Sequence, residues 1–316
     1  MLSVCLENGK VLVRTQARPR RPEGFATIRL LYGGICNTDL ELQRGYYGFR
    51  GTPGHEFVGE VVDADDRRWV GERVVGEINL ACGKCEWCAR GLGRHCPTRT
   101  VLGIVKQPGA FREFLTLPER NLRRVPRQIP SEEAVFIEPL AAACEILDQV
   151  RIPRGAPVAV LGDGKLGLLT SQVLQAHGAE VHQYGRHKEK LRIAEQSGVN
   201  VEVAKKLPMA KYEFVVEATG SSDGLRQAVQ MTQPRGTVIM KSTVHGLVST
   251  DTAPVIVNEI TLIGSRCGRF EPAIQLLKSR KVHVDAMISE VQPLKSAAEA
   301  FRSAAKSGVL KVLLHA

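Results

Sequence analysis

The sequence predicts an α/β protein in two parts, a β-rich region and a doubly wound parallel sheet. Three observations carry this. Short strands punctuated by Gly and Pro continue to about residue 125, as in a barrel-like β region. From Glu132 onward, strand-like and helix-like segments alternate, which is the pattern of a parallel sheet covered by helices. Finally, Val158-Ala159-Val160-Leu161 runs directly into Gly162-Asp163-Gly164-Lys165-Leu166-Gly167. That is G-x-G-x-x-G after a strand and before a helix, the context that gives the motif its meaning.

The opening VCLENGKVLVRT reads as a hairpin, with Asn8-Gly9 supplying the positive φ angles of a tight turn. SEEAVFIEPLAAACEILDQV has apolar residues at helical spacing, with Ser131 as candidate N-cap. Strands are then expected at Val158–Leu161, Val181–Tyr184, Phe214–Glu217, Thr237–Lys241 and Ile260–Ile263. Helices are expected at Lys165–His177, Lys188–Gln196 and Leu225–Thr232. After Gly264, a helix near Pro272–Ser279 and a closing helix and strand, Leu294–Ala305 and Leu310–Leu314, are expected to return to the first part.

Length and composition bound the function. The 316 residues suffice for two domains, and 43% hydrophobic with 24% charged residues is ordinary for a globular protein. No run of about eighteen apolar residues occurs, so no membrane partner is expected. The net charge of +10 raises the possibility of nucleic acid. Lys and Arg are scattered, however, and the densest cluster, Arg18-Pro19-Arg20-Arg21, lies between two expected strands. A solvated surface favouring anionic small molecules is the expectation. The start MLSVCLENGK lacks a basic segment followed by an apolar one. Eight cysteines without an export signal point to a reducing compartment, the cytoplasm, and to metal ligation rather than disulfides.

Four of those cysteines, Cys82, Cys85, Cys88 and Cys96, read C-x2-C-x2-C-x7-C. Four thiolates at this spacing can close a tetrahedron around Zn2+, leaving no position for chemistry. This is a structural site. A second set is open: Cys36, in Gly33-Gly34-Ile35-Cys36-Asn37-Thr38-Asp39, with His55 and Glu56 after Gly54. One thiolate, one imidazole and one carboxylate leave a fourth position for water or substrate, the pattern of a catalytic zinc. The Thr38 hydroxyl is suited to pass on an alcohol proton, and Asp39 to hold the His55 imidazole. Tyr46 and Tyr47 are candidates for a pocket wall.

In the nucleotide motif, Gly162 makes the tight turn, Gly164 admits a pyrophosphate and Gly167 lets helix and strand pack, with Lys165 and Leu166 between them at the helix start. The next strand ends at Tyr184-Gly185-Arg186. An NAD site usually has Asp or Glu there to accept from the ribose 2′-hydroxyl. Gly185 carries no charge to repel a 2′-phosphate, and Arg186 can clamp one. NADP is therefore expected over NAD.

These residues resemble the zinc-dependent medium-chain dehydrogenase/reductases, which include alcohol, polyol and sugar dehydrogenases. The resemblance runs through nearly all of the chain, in GICNTD, GHEFVGEVV, the four-cysteine lobe, EPLAAA, GDGKLG, VVEATG and LKVLL. It implies a GroES-like β-rich catalytic domain over residues 1–140 and 266–316, with a Rossmann domain over 141–265. It implies catalytic zinc on Cys36, His55 and Glu56, with Thr38 starting a proton relay. Glu138, in Glu138-Pro139-Leu140, would sit at that zinc, directly or through water, as in polyol and glucose dehydrogenases. Cys144 is a rival that falls inside the helix. Arg266 would lie near substrate and cofactor, and Lys311 would reach the cofactor phosphates. The family suggests a homodimer or homotetramer.

Two departures stand out. The stretch between Val62 and Val70 is short, with Asp65 and Arg68 at small or apolar positions, and no His completes a liver-type proton relay. The expected function is hydride transfer between an alcohol, with polyols, sugars or other secondary alcohols favoured, and NAD(P). The alternatives are an NADPH-dependent aldehyde or ketone reductase and a nucleotide-binding redox sensor without turnover. A zinc-ribbon nucleic-acid binder leaves Gly162–Gly167 and the Cys36 set unexplained.

Overall fold

The computed structural model describes residues 1–244 and 248–316. The chain forms two compact units, Met1–Glu138 with Ile288–Ala316, and Pro139–Met287.

The first unit is built on antiparallel strands. Phe25–Gly34 is its central strand and pairs with Glu56–Asp63, Phe114–Pro118 and Lys311–His315. Apolar side chains of the central strand, Ala26, Ile28 and Leu30, alternate into the core as a period of two requires. The hairpin forms as expected, pairing Leu2–Glu7 with Lys10–Thr15, and Asn8 and Gly9 have φ of 48° and 76°. The short stretch after Val62 is pinned. Asp65 accepts from Gly24 N at 2.5 Å and pairs with Arg21, and Asp66 accepts from Arg68 N at 3.0 Å. Polar anchors thus replace the apolar residues that the resemblance leads one to expect.

The second unit is a six-stranded parallel sheet. In spatial order its strands begin at Asn200, Glu180, Pro157, Tyr212, Thr232 and Thr261. The order reverses direction around Pro157–Leu161, and in such sheets ligands bind beyond the carboxyl ends of the strands at that reversal. Buried Val158, Ala159, Val160, Val181, Val215 and Val216 make the near-continuous apolar runs of a sheet covered on both faces.

Several expectations are corrected. The helix expected from Ser131 is two helices, Ser131–Ala134 and Ile137–Gln149. Pro130 is the N-cap of the first, and the Ser131 hydroxyl instead accepts from Arg73 at 2.9 Å. Pro139 lies in the first turn of the second helix, where a missing N–H costs nothing. Strands Asn200–Val203 and Ile288–Pro293 add to those expected; the first is only 4 residues long, and the second lacks a regular apolar alternation. The second compact unit runs on to Met287, and the first resumes at Ile288. Residues 266–287 stay with the second unit because Gly268 packs so closely that a Cβ there would lie 1.8 Å from the Ala141 carbonyl oxygen. Arg269 also pairs with Asp148 at 3.0 Å, and Gln172 exchanges hydrogen bonds with the His283 backbone at 3.0 and 2.8 Å.

Candidate active site

The four lobe cysteines converge. Their sulfurs lie 3.5 Å apart for Cys85 and Cys88, 3.8 Å for Cys85 and Cys96, and 3.9 Å for Cys82 and Cys88. Tetrahedral zinc with bonds of about 2.3 Å puts sulfurs about 3.8 Å apart. All four are free thiols at separations well beyond a disulfide bond. The chemistry and spacing of the donors fit a closed zinc site.

Cys36, His55 and Glu56 form the second group, with donor atoms all within 4.8 Å of one another. Cys36 precedes the helix Asn37–Gln43, and Glu56 begins the strand Glu56–Asp63. Asp39 ties the two together. It is fully buried, accepts from Cys36 N at 2.9 Å through Oδ2, and accepts from Gly54 N at 3.0 Å through Oδ1. The same Oδ1 lies 3.7 Å from His55 Nδ1, outside hydrogen-bond range, and that nitrogen is buried without a hydrogen-bond partner. Asp39 therefore fixes the backbone on both sides of the site more firmly than it fixes the imidazole. Burial works against a charge on His55, but Asp39 and then Cys36 outweigh it and hold the imidazole well above its usual value. Thr38 Oγ1 is 3.8 Å from Cys36 Sγ.

Glu56 has a partner that sequence reading placed elsewhere. Lys311 is 1% exposed, and its Nζ pairs with Glu56 Oε2. Gly34 makes this approach possible, since a Cβ there would lie 2.8 Å from Glu56 Oε2 and 3.2 Å from Lys311 Cδ. The Lys311 ammonium is thus paired with the Glu56 carboxylate inside the first unit. Asp39, Glu56 and a Cys36 thiolate gather negative charge around one buried lysine. A zinc ion here would take the place of the proton that these anions favour on His55, so the donor set fits zinc.

Glu138 begins near the start of Ile137–Gln149, is half-buried, and lies outside the group of three. Cys144 also lies outside it, and burial pushes its thiol up to about 12, as befits a core residue. Tyr47 lines a cavity of about 670 Å³ with Phe49, Arg50, Thr52, Lys106 and Gln107, and its ring centroid lies 4.1 Å from that of Tyr46, the two rings tilted by 39°.

In the second unit, Gly162 has φ of 122°, and its missing Cβ would meet the Ala218 carbonyl oxygen at 2.4 Å. A Cβ on Gly167 would meet the Gly162 carbonyl oxygen at 2.3 Å, whereas one on Gly164 would meet no atom within 4 Å. Packing within the chain thus accounts for Gly162 and Gly167. Gly164 leaves open space at the N-terminus of Lys165–His177, as a cradle for a pyrophosphate would. Lys165 and Leu166 are half-buried in that first turn. Arg186 is exposed, and its side chain has no hydrogen-bond or ion-pair partner among the described residues. The side chain of Arg266 is exposed too, and its carbonyl accepts from Lys241 Nζ at 3.1 Å.

The Asp163 side chain fills the space beside Gly185. A Cβ built there would lie 2.6 Å from Asp163 Cβ and 2.7 Å from Asp163 Oδ2. Sequence reading missed Asp163, whose only signal was a charged residue inside a glycine turn. It also missed buried Lys241, bonded to the Ala142 carbonyl at 2.6 Å, and buried Glu217, which accepts from Thr219 Oγ1 at 2.6 Å and Ser242 Oγ at 3.0 Å.

An open donor set beside a closed four-thiolate lobe, on a chain with a nucleotide-type parallel sheet, defines a zinc-dependent, nucleotide-linked oxidoreductase. Residues 22–127 match the model of the alcohol dehydrogenase GroES-like domain, and residues 166–279 match that of the zinc-binding dehydrogenases. The chain is 26% identical to a sorbitol dehydrogenase of Halalkalibacterium halodurans, over 97% of this chain and 96% of that protein. It is 28% identical to a D-arabitol-phosphate dehydrogenase of Enterococcus avium, over 94% and 91%. A zinc-binding dehydrogenase of Sinorhizobium meliloti, solved bound to NADP, superposes with a TM-score of 0.91 at 27% identity over 100% and 99% of the two chains. The chain belongs to the zinc-dependent medium-chain dehydrogenase/reductase family and is an NAD(P)-dependent alcohol dehydrogenase. Among the described residues, no helix is long and apolar enough to cross a membrane.

Proposed function

We propose that the protein interconverts a polyol, sugar or other secondary alcohol and its carbonyl product with NAD(P)(H), using one catalytic and one structural zinc per chain. The observation that carries this is the convergence of Cys36, His55 and Glu56 in a three-donor set. Bound zinc supplies Lewis acidity at the substrate oxygen, and the nicotinamide accepts or returns the hydride. Cys36, His55 and Glu56 would hold that zinc, and Cys82, Cys85, Cys88 and Cys96 the second. Asp39 keeps the backbone of the first site in place. Thr38 takes the proton of the substrate hydroxyl, which the 3.8 Å separation of its Oγ1 from Cys36 Sγ supports. Glu138 is proposed to act at the metal through an intervening water, in keeping with its place outside the three-donor set.

Gly162, Gly164, Lys165, Leu166 and Gly167 would bind the pyrophosphate, with Gly185, Arg186 and Arg266 around the rest of the cofactor. A preference for NADP now rests on Arg186 alone, because Asp163 fills the space beside Gly185. The sorbitol and arabitol-phosphate dehydrogenases among the relatives support a polyol or polyol phosphate as substrate. A homodimer or homotetramer is supported by exposed Ile256, Val257 and Leu262, which lie on or close in sequence to the edge strand Thr261–Gly264. We place the GroES-like domain on the first compact unit and the Rossmann domain on the second. Cysteine used as a metal ligand supports a reducing, cytoplasmic setting. A screen of polyols, polyol phosphates, sugars and aliphatic alcohols with NAD and NADP tests the proposal. Turnover of at least one secondary alcohol is expected, and none with any of them would refute it.

A further inference from the structure

We infer that Asp163 supplies, from the glycine turn, the carboxylate that the strand end at Gly185 lacks, and that it meets the adenosine ribose and disfavours a 2′-phosphate. The inference rests on the nucleotide-binding reading of this turn.

In a nucleotide-binding sheet, the acidic side chain that accepts from the ribose hydroxyl stands at the end of the strand after the glycine turn. That position is Gly185. It cannot bear a side chain, because a Cβ would lie 2.6 Å from Asp163 Cβ, 2.7 Å from Oδ2 and 2.9 Å from Cγ. The Asp163 carboxylate thus fills the volume in which the strand-end acid would begin. The glycine at 185 is explained by Asp163 before any cofactor is considered.

Asp163 is also held and charged. Its Oδ2 accepts from Arg186 N at 2.5 Å, His187 N at 2.7 Å and His187 Nδ1 at 3.0 Å. Burial pushes the carboxyl up, but the donors of His187 and Arg186 outweigh it and hold it below its ordinary value. Its Oδ1 accepts no hydrogen bond from the described residues. An ionised oxygen with free lone pairs suits a ribose hydroxyl and repels a phosphate dianion. Arg186, next along the chain and exposed, exerts the opposite pull. Cofactor choice is then the difference between two opposed charges.

The test is fluorescence titration of the zinc-loaded protein with NADH and NADPH, for wild type, Asp163→Asn, Asp163→Ser and Arg186→Gln. Asn keeps an oxygen for the Arg186 and His187 amides, and Ser guards against a loop that tolerates Asn poorly. Removing the charge should shift the ratio of dissociation constants towards NADPH by about tenfold or more, the scale of one charge-assisted contact. Arg186→Gln should shift it the other way. Equal weakening of both nucleotides in the Asp163 variants would reduce Asp163 to a loop pin and overturn the inference, as would an unchanged ratio. A wild type that binds neither nucleotide would overturn the nucleotide-binding reading itself.

Discussion

Lys311 and Glu56, on strands of the same sheet, form an ion pair in which each side chain is 1% exposed. Neither charge is stable there alone. Desolvation alone would favour a neutral lysine, yet Glu56 and then Cys36 hold its ammonium above its ordinary value. Lys311→Met leaves the carboxylate without its ammonium, and breaking a buried pair in this way costs about 3–5 kcal/mol. The metal-free variant should therefore unfold at markedly lower denaturant, with part of the loss recovered on adding zinc. Urea unfolding with and without chelator checks this.

Glu138 opens onto a different outcome. If its carboxylate acts through water at the metal, Glu138→Gln should lower kcat at least tenfold while the cofactor dissociation constant stays within about twofold. Steady-state kinetics and a cofactor titration on the same preparation measure the two quantities. Full turnover would make Glu138 a helix-end residue only.

Gly185 and Asp163 compete for one volume. Gly185→Asp alone should destabilise the protein by about 1–3 kcal/mol, the ordinary cost of overpacking. Adding Asp163→Gly should restore most of that loss, because it empties the space that the new side chain needs. Thermal melts of the two single variants and the double variant check the coupling.

Asp163 also predicts a pH dependence. Its folded value lies below the ordinary 3.8, so it stabilises the fold above that pH, and the contribution fades as pH falls through the lower folded value. Asp163→Asn should lower stability at pH 7, and the gap to wild type should narrow as the pH falls below 3.8. Acid titration of the denaturant midpoint provides the measurement, and a constant gap would contradict it.

Much of this site was legible in the sequence because it depends on residue type and spacing. C-x2-C-x2-C-x7-C and G-x-G-x-x-G after a strand are local patterns, and the structure brings those residues together. What could not be read were partnerships between distant segments. Lys311 meets Glu56 across 255 positions, and Asp163 meets Gly185 only because neighbouring parallel strands bring their ends together. The same limit applies to the turn back at Ile288, which is set by the packing of Gly268 and Gln172 rather than by a local signal.

The central claim is two zinc ions with separate roles, and elemental analysis of metal bound per chain addresses it most directly. Wild type should carry two zinc ions. Cys36→Ser should carry one, remain folded and lose nearly all turnover. Cys85→Ser should lose the other together with fold stability, since structural zinc contributes directly to folding. A wild type fully active with a single zinc, or a Cys36→Ser variant that keeps both zinc ions and its turnover, would contradict the account.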